Sequence, residues 1–344
     1  MRPTISLLLG LGLAAFGAPD PAASSAPTAK SKESPPAKEI KETTPAKTAD
    51  PVVREFAVGI NGKNVPYKVT TGKIQLKHDD GKAKASIFHI SYVRTDAKEV
   101  SKRPVLFAFN GGPGSAAVWL HIGMLGPKII KLPDNGTTAP VPPAHVEDNP
   151  LSILDVCDLV FVDPVSTGYS RAENDTKPGE FHGLNEDIES VGDFIRRWIS
   201  EHERWASPKY LLGESYGGIR AAGLAHHLQS RYGMSLNGVV LLSSLLDFAT
   251  LQTSSGNDLC FMVYLPSFTG VAHYHKKIKG DLNALIKEST EFAFGAYAAA
   301  LIQGNTLDPA TRAAVAAKLG HFTGIPAAIW VTHDLRIDPG LFRG

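Results

Sequence analysis

The chain has 344 residues, of which 43% are hydrophobic, as is typical of one large folded domain. Lysine and arginine total 35, and aspartate and glutamate total 34. This balance excludes a surface of one dominant sign, so charge alone predicts no nucleic-acid partner, no anionic membrane and no acidic substrate.

The N-terminus has the pattern of an export signal. Met1 and Arg2 precede an apolar run from Ile5 to Phe16, and small residues that suit signal peptidase follow it. The run is shorter than the roughly 20 residues that span a bilayer, which favours a signal peptide over residues 1–18 and argues against a membrane anchor. We therefore expect an exported protein, periplasmic or secreted, with no membrane attachment after cleavage.

A linker is predicted after the signal. Residues 19–51 are mainly Ala, Pro, Lys, Ser, Thr and Glu, which cannot bury enough apolar surface to offset the entropy of ordering the chain. A disordered tether is the interpretation, and a wall-binding role for Lys30, Lys32 and Lys38 is the alternative.

The remaining sequence predicts an α/β fold. From residue 52 to about residue 92, short β-branched stretches alternate with glycine-containing turns, which indicates antiparallel strands. Continuous apolar runs, typical of strands covered on both faces, follow at 104–109, 159–162, 209–212 and 239–242. Residues 184–202 carry apolar side chains at helical spacing. This alternation predicts a doubly wound, mostly parallel sheet, whose functional residues gather at the carboxyl ends of its strands.

After Ser244 the sequence becomes rich in Gly, Pro and Ala. Helical segments are predicted at 292–303 and 309–319, among others. We interpret this region, from about residue 247, as a helical cap inserted above the sheet.

The candidate nucleophile is Ser215. The sequence Gly-Glu-Ser-Tyr-Gly-Gly at 213–218 joins a predicted strand to a helix-forming run at 219–229. Gly-x-Ser-x-Gly between a strand and a helix is a nucleophile elbow, a turn so tight that the serine hydroxyl stands clear of the sheet. The alternative is a glycine-rich turn with only a structural role.

An attack by Ser215 on a carbonyl would also need backbone donors for the oxyanion that forms. The sequence Asn-Gly-Gly-Pro-Gly at 110–114 follows a predicted strand, and its glycines allow the backbone to approach a substrate closely. A phosphate-binding loop is the alternative, but no Gly-Lys-Ser or Gly-Lys-Thr follows.

Three motifs together resemble the serine carboxypeptidase family. They are Asn-Gly-Gly-Pro-Gly-Ser at 110–115, Asp-Pro-Val-Ser-Thr-Gly-Tyr-Ser at 163–170 and Gly-Glu-Ser-Tyr-Gly-Gly at 213–218. The resemblance extends from about Phe56 to the end of the chain. It implies an α/β-hydrolase fold, release of C-terminal residues from peptides through an acyl-enzyme on Ser215, and an oxyanion hole formed by the backbone amides of Gly112 and Tyr216.

The resemblance also implies that Asn110, Gly111 and Glu214 bind the terminal carboxylate of a peptide substrate. In the family a second carboxyl group close by holds the Glu protonated, because two carboxylates at close range cannot both ionise. Three positions depart from the family pattern: Met124 for its second Glu, Ala108 for its Trp and Ser115 for its Cys. These departures weaken the expectation of carboxylate recognition and of an acidic pH optimum.

An activated serine also needs a histidine and an acid, which follow the nucleophile in α/β-hydrolases. The histidines that follow Ser215 in the sequence are His226, His227, His273, His275, His321 and His333. A triad of Ser215 and His333 with Asp334 or Asp338 is the alternative, but no apolar strand carries these residues to the sheet edge. We therefore expect the family's acid and histidine to be missing and the domain at 52–344 to be incomplete. An exposed sheet edge would then make the chain aggregate.

Other functions stay open at this point. A secreted esterase or acyltransferase would use the same chemistry on a different substrate, and without the histidine the chain would be a noncatalytic binding protein. No residue spacing predicts a metal site, a cofactor or a nucleic-acid interface. Cys157 and Cys260 could pair in an exported protein, but Cys157 opens an apolar run, which favours buried free thiols.

Overall fold

The computed structural model of the chain describes residues 50–133 and 142–343. The predicted signal peptide and all but the last two residues of the predicted linker lie outside the described residues. The strands are β1 (Val52–Ile60), β2 (Lys63–Lys77), β3 (Ala83–Arg94), β4 (Val105–Phe109), β5 (Lys128–Ile130), β6 (Val146–Asp148), β7 (Asp158–Val162), β8 (Arg171–Ala172), β9 (Lys209–Glu214) and β10 (Gly238–Leu242). The α-helices are α1 (Val118–Leu120), α2 (Leu184–Glu201), α3 (Tyr216–Tyr232), α4 (Leu259–Tyr274), α5 (Leu282–Phe292), α6 (Ala298–Gln303), α7 (Pro309–Thr323), α8 (Ala327–Thr332) and α9 (Pro339–Arg343).

The main sheet has the strand order β1-β2-β3-β7-β4-β9-β10, and β8 pairs with β3 beside this path. Strand β2 pairs antiparallel with β1 and with β3, and β3 is antiparallel to β7. Strands β7, β4, β9 and β10 run parallel. β5 and β6 form a separate antiparallel pair. The predicted α/β-hydrolase fold, with antiparallel strands first and a parallel part after them, is confirmed.

The central strands are buried on both faces. Every residue of β4 and β7 is buried. On one face, Phe194 and Trp198 of α2 and Leu224 of α3 belong to the same hydrophobic core as Phe107. On the other face, Leu120 belongs to a second hydrophobic core, which contains the alternate residues of the same strands. This two-sided burial explains why the strand sequences are continuously apolar.

The helices from α4 to α9 have a hydrophobic core of their own, which includes Leu265, Phe322 and Trp330. Arg336 joins the end of this region to its beginning, since its Nε and Nη2 donate to Asp258 at 2.7 and 2.9 Å. Helices lie in both predicted segments, but a π-helical turn, Ala293–Tyr297, interrupts the first. Their placement as a cap above the sheet stays a prediction.

Strand β10 is an edge of the sheet within the described residues, because it pairs only with β9. Val239, Val240 and Leu241 are 38%, 46% and 49% exposed. Consecutive side chains of a strand point to opposite faces, so this edge exposes apolar surface on both faces.

Both cysteines are buried and unpaired, and for Cys157 this agrees with the buried free thiol that its apolar run favours. Burial raises the pKa of Cys157 to about 12, so its reactive thiolate form is scarce at neutral pH. Among the described residues, no helix combines the length and the apolar character needed to cross a bilayer.

Candidate active site

Ser215 lies at the junction of β9 and α3, at the carboxyl end of a parallel strand. Its φ of 58° and ψ of −124° lie in a region that residues with a side chain rarely adopt. Backbone hydrogen bonds hold this conformation: the Ser215 N–H donates to the Leu242 carbonyl at 3.0 Å, and the Ser215 carbonyl accepts from the Gly218 N–H at 2.9 Å. The local structure is therefore the strained strand-to-helix turn that the sequence predicts.

Glycines flank Ser215 because three backbone segments are in contact here. A Cβ atom added at Gly213 would lie 1.9 Å from the carbonyl oxygen of Gly217. One added at Gly217 would lie 2.8 Å from the carbonyl oxygen of Phe109, the last residue of β4. The glycine pattern of the elbow thus follows from the close packing of β4, β9 and α3.

The glycine loop at 110–115 passes directly over the start of α3. A Cβ atom added at Gly111 would lie 2.5 Å from the backbone nitrogen of Tyr216 and 2.8 Å from that of Gly217. Gly112 follows with a φ of 109° and is exposed. The segment that carries Gly112 is therefore a neighbour of the segment that carries Tyr216, as the predicted oxyanion hole requires.

The motif at 163–170 anchors the chain that follows the glycine loop. The buried Asp163 accepts from the Ala117 N–H at 2.9 Å. The Ser170 hydroxyl donates to the Asp163 carbonyl at 2.6 Å and accepts from the Phe88 N–H at 2.7 Å. Burial raises the pKa of Asp163, and the backbone hydrogen bonds oppose this rise.

Asn110 connects the glycine loop to the elbow. Its Nδ2 donates to Oε2 of Glu214 at 3.1 Å, and its Oδ1 accepts from the Leu120 N–H at 3.2 Å. The Asn110 side chain is buried and Glu214 is partly buried. Two of the residues predicted to bind a carboxylate are thus in direct contact, and one of them, Glu214, directly precedes Ser215 in the chain.

A cleft of about 580 Å³ opens beside Ser215. Its polar lining includes Asn110, Ser115 and Glu214. Its apolar lining includes Trp119 and Met124, which are 70% and 44% exposed. The cleft therefore combines the candidate nucleophile, an amide and carboxylate pair, and an apolar wall.

A sequence profile described as serine carboxypeptidase matches residues 60–308, which contain all three motifs around this cleft. The chain belongs to the serine carboxypeptidase family. This confirms the resemblance on which the predicted site residues depend.

Individual relatives are distant and match only in part. Serine carboxypeptidase-like 9 of Arabidopsis thaliana is 24% identical over 176 residues, which are 51% of this chain and 37% of that protein. Serine carboxypeptidase 1 of Hordeum vulgare is 26% identical over 171 residues, 48% of this chain and 31% of that protein. The crystal structure of a prohormone-processing carboxypeptidase of Saccharomyces cerevisiae aligns with a TM-score of 0.45 at 20% identity, over 67% of this chain and 48% of that one. The chain spans about a third of the length of the curated relatives it matches.

This serine carboxypeptidase family member carries a single carboxylate in the described lining of the cleft. Glu214 supplies it, and Met124, which the resemblance implies for the position of the family's second Glu, also lines the cleft. Within this lining, no second acid is available to share a proton with Glu214.

The described lining of the cleft also contains no histidine. His226 and His227 lie on α3, and His227 packs against α2, where a Cβ atom added at Gly192 would lie 2.7 Å from its Cδ2. The Nε2 of His273 lies 3.1 Å from the Gly280 carbonyl. The ring of His321 packs against Phe322. None of these contacts involves Ser215.

The acids near His333 have structural partners. Asp334 pairs with Arg312 and with Arg336. Asp338 accepts from the backbone N–H groups of Gly340 and Leu341 at 2.6 and 3.0 Å. These contacts give no support to a triad built on His333.

A buried ion pair beneath the elbow was not predicted from the sequence. Nε of Arg220 on α3 donates to both carboxylate oxygens of Asp187 on α2, at 3.1 and 2.8 Å, and Nη1 donates to the Asn110 carbonyl at 2.8 Å. The guanidinium lies 5.2 Å from the centre of the Tyr216 ring. Burial raises the pKa of Asp187, and Arg220 opposes this rise. The sequence signal was an arginine within a run of small and apolar residues directly after the elbow.

Proposed function

We propose that the protein is a serine-type carboxypeptidase that removes C-terminal residues from peptides through an acyl-enzyme on Ser215. The observation that carries the proposal is the strained backbone of Ser215, which lies beside the glycine loop and the Asn110–Glu214 pair. Strain of this kind costs about 1–3 kcal/mol and is concentrated at active sites.

In the proposed reaction, Oγ of Ser215 adds to the carbonyl carbon of the last peptide bond while a base takes the hydroxyl proton. The backbone amides of Gly112 and Tyr216 would stabilise the oxyanion, a contribution of about 2.7–4 kcal/mol for one such donor. The C–N bond then breaks, the leaving amine takes the proton, and water hydrolyses the acyl-enzyme. The described cleft supplies no histidine as the base, so catalysis requires a base from elsewhere.

Asn110, Gly111 and Glu214 are the proposed contacts for the terminal carboxylate of the substrate. The proposal rests on the Asn110–Glu214 hydrogen bond and on the position of both side chains in the cleft. Glu214 could donate to a carboxylate only when protonated, because an ionised carboxylate has no hydrogen to donate and would repel the substrate's charge.

A second candidate function is that of an esterase or acyltransferase of the same fold. The apolar wall formed by Trp119 and Met124 favours it, because such a wall suits a neutral acyl or alcohol group and offers no charge to a terminal carboxylate. Both candidates use the same nucleophile, so only substrate preference separates them.

Labelling with a fluorophosphonate tests the nucleophile, because only a serine activated by a base reacts quickly. Trypsin releases Ser215 in a peptide of residues 210–220, which mass spectrometry identifies directly. If a base outside the described lining of the cleft activates Ser215, as the proposal requires, this peptide is labelled in the wild-type protein and unlabelled in Ser215→Ala. A folded wild-type protein without label on Ser215 would contradict the hydrolase proposal and leave a binding role.

Substrate preference is tested with one blocked dipeptide prepared as the free acid, the amide and the ethyl ester. A carboxypeptidase should cleave the free acid at least about tenfold faster than the amide, and Met124→Glu should widen this difference, whereas Met124→Leu should not. The esterase would be favoured if the amide were cleaved as fast as the free acid, or if the wild type, Met124→Glu and Met124→Leu all preferred the ester.

We also propose that the protein is exported, on the basis of the N-terminal pattern at residues 1–18. Expression of the full chain in a secreting host, followed by N-terminal sequencing, should yield a mature protein that starts near residue 19. Retention of Met1 in the cell-associated protein would contradict export.

A further inference from the structure

A serine hydroxyl away from Ser215 is hydrogen-bonded to an imidazole. Oγ of Ser166 lies 3.0 Å from Nε2 of His182, and both side chains are exposed. A serine and a histidine within hydrogen-bond reach are the minimum of an activated nucleophile, because the ring nitrogen can take the hydroxyl proton during attack. The pair is outside the described lining of the cleft that contains Ser215.

The backbone of Ser166 resembles that of the elbow serine in one respect. Its φ is 71°, and it is the third residue of a turn closed by the Thr167 N–H, which donates to the Pro164 carbonyl at 3.0 Å. Glycine is the usual residue with a positive φ in such a turn. A serine at this position is therefore strained, and its side chain points to His182.

Ser166 and His182 both line a cavity of about 320 Å³. Pro113, Pro164, Val165 and Phe181 form its apolar walls. The buried Arg220–Asp187 pair contributes to its lining as mutually neutralising charges. The cavity therefore suits a small, uncharged group next to the Ser166 hydroxyl.

We propose that Ser166 and His182 form a second nucleophilic site, which accepts short, uncharged acyl groups from activated esters. Oγ of Ser166 forms a bond to the ester carbonyl carbon, and the hydroxyl proton passes to Nε2 of His182. The bond between that carbon and the leaving oxygen breaks, and the leaving alkoxide takes the proton as an alcohol. Water then hydrolyses the acyl-serine. One hydrogen of the water restores the Ser166 hydroxyl, and its OH group joins the acyl carbon, which leaves as the carboxylic acid.

The site does not depend on Ser215, so it is tested in the Ser215→Ala protein. Fluorophosphonate traps the nucleophile, and release of nitrophenolate from p-nitrophenyl acetate measures turnover. Trypsin releases Ser166 in a peptide of residues 132–171, apart from the 210–220 peptide of Ser215. The two proposals therefore succeed or fail separately.

Two variants separate nucleophilic chemistry from a structural hydrogen bond. Ser166→Gly removes the hydroxyl and suits the positive φ, so the protein should remain folded. His182→Gln keeps a side chain that can hydrogen-bond Ser166 but cannot act as the base. The chain also contains a comparison pair, in which Nε2 of His78 lies 3.1 Å from Oγ1 of Thr176, in a cavity lined by charged side chains.

The expected result is phosphonylation of Ser166 well above that of Thr176, and nitrophenolate release that falls at least about tenfold in both variants. Thermal unfolding of His182→Gln should match that of the Ser215→Ala parent. The proposal is overturned if nitrophenolate release is unchanged in Ser166→Gly, or if His182→Gln reacts as fast as the parent.

Discussion

At the scale of single residues, the backbone conformation that Ser215 adopts in the candidate site lowers the stability of the fold. Its φ of 58° and ψ of −124° are unfavourable for any residue with a Cβ atom but are accessible to glycine. Ser215→Ala and Ser215→Gly both remove the hydroxyl, and only the glycine variant relieves the strain.

We therefore expect Ser215→Gly to be more stable than Ser215→Ala by about 1 kcal/mol, since relief of strain exceeds the entropy that glycine adds to the unfolded chain. Urea unfolding of both variants measures this difference. An alanine variant as stable as the glycine variant would mean that the elbow carries no strain.

Gly111, in the glycine loop at 110–115, has no room for a Cβ atom. Gly111→Ala would place a Cβ atom 2.5 Å from the Tyr216 nitrogen, so one of the two segments must move. We expect a loss of about 1–3 kcal/mol of stability and the loss of fluorophosphonate labelling at Ser215. Gly123→Ala is the matched control, because Gly123 lines the same cleft and an added Cβ atom there would have no neighbour within 4 Å. If the two variants behave alike, the close approach of Gly111 is not required for labelling.

The sequence predicted those residues of the candidate site that form a tight local turn. Ser215, its flanking glycines and the glycine loop could be predicted because tight turns and close backbone contacts demand particular residue types. The contact of Arg220 with Asp187 could not, because it joins residues 33 positions apart through the packing of two helices. The Ser166–His182 contact likewise depends on tertiary packing, because it joins a turn to the segment just before α2.

At the scale of elements, the Arg220–Asp187 pair couples α2, α3 and the end of β4. Both partners are buried, and Arg220 also donates to the Asn110 carbonyl. Loss of one partner leaves an uncompensated buried charge, which costs about 3–5 kcal/mol.

We expect Arg220→Met and Asp187→Leu each to lower the free energy of unfolding by about 3 kcal/mol, and the double variant to lose less than the sum of the two. Chemical denaturation of the four proteins measures the coupling. Lys102→Met is the control, since its pair with Glu99 is exposed and contributes about 0–1 kcal/mol. Strict additivity of the two buried substitutions would contradict a specific pair.

Helices and strands could be predicted from the sequence where their apolar residues recur at a regular spacing. Helix α2 was predicted over 184–202 and is observed over Leu184–Glu201, because its buried face recurs at helical spacing. Helix α3 begins at Tyr216, three residues before its predicted start, because two glycines hide the helical pattern there. The pair β5–β6 was not predicted, since three-residue strands carry too little pattern to recognise.

At the scale of the whole molecule, buried histidines predict how stability depends on pH. Burial lowers the pKa of His89 to about 4 and that of His121 to about 4. Unfolded histidine has a pKa near 6.5, so the unfolded chain takes up protons that the folded chain does not. The contribution of each histidine is complete above about pH 6.5 and declines as the pH falls towards 4.

We expect the free energy of unfolding to fall by up to about 3 kcal/mol for each of these histidines between pH 6.5 and 4. His89→Leu should flatten this decline, because it removes the buried imidazole whose pKa is lowered. His275→Gln, at an exposed position, should leave the profile unchanged. A profile of His89→Leu parallel to that of the wild type would contradict the depressed pKa.

Within the described residues, strand β10 forms an unpaired edge of the sheet. An edge strand presents unpaired N–H and C=O groups, and natural proteins commonly protect such edges with lysine or other charges. Here Val239, Val240 and Leu241 lie along the edge, and each is between 38% and 49% exposed. Apolar side chains on both faces next to free backbone groups favour strand addition between molecules.

We therefore expect this chain to self-associate at micromolar concentration, and Val240→Lys to shift it towards the monomer, because a lysine at the edge opposes the approach of a second strand. Val156→Lys is the matched control, since Val156 is 60% exposed but lies outside the strands. Sedimentation velocity across a concentration series compares the three proteins. A fall in association with both lysine variants would indicate a general effect of charge, and a fall with Val240→Lys alone would assign the association to β10.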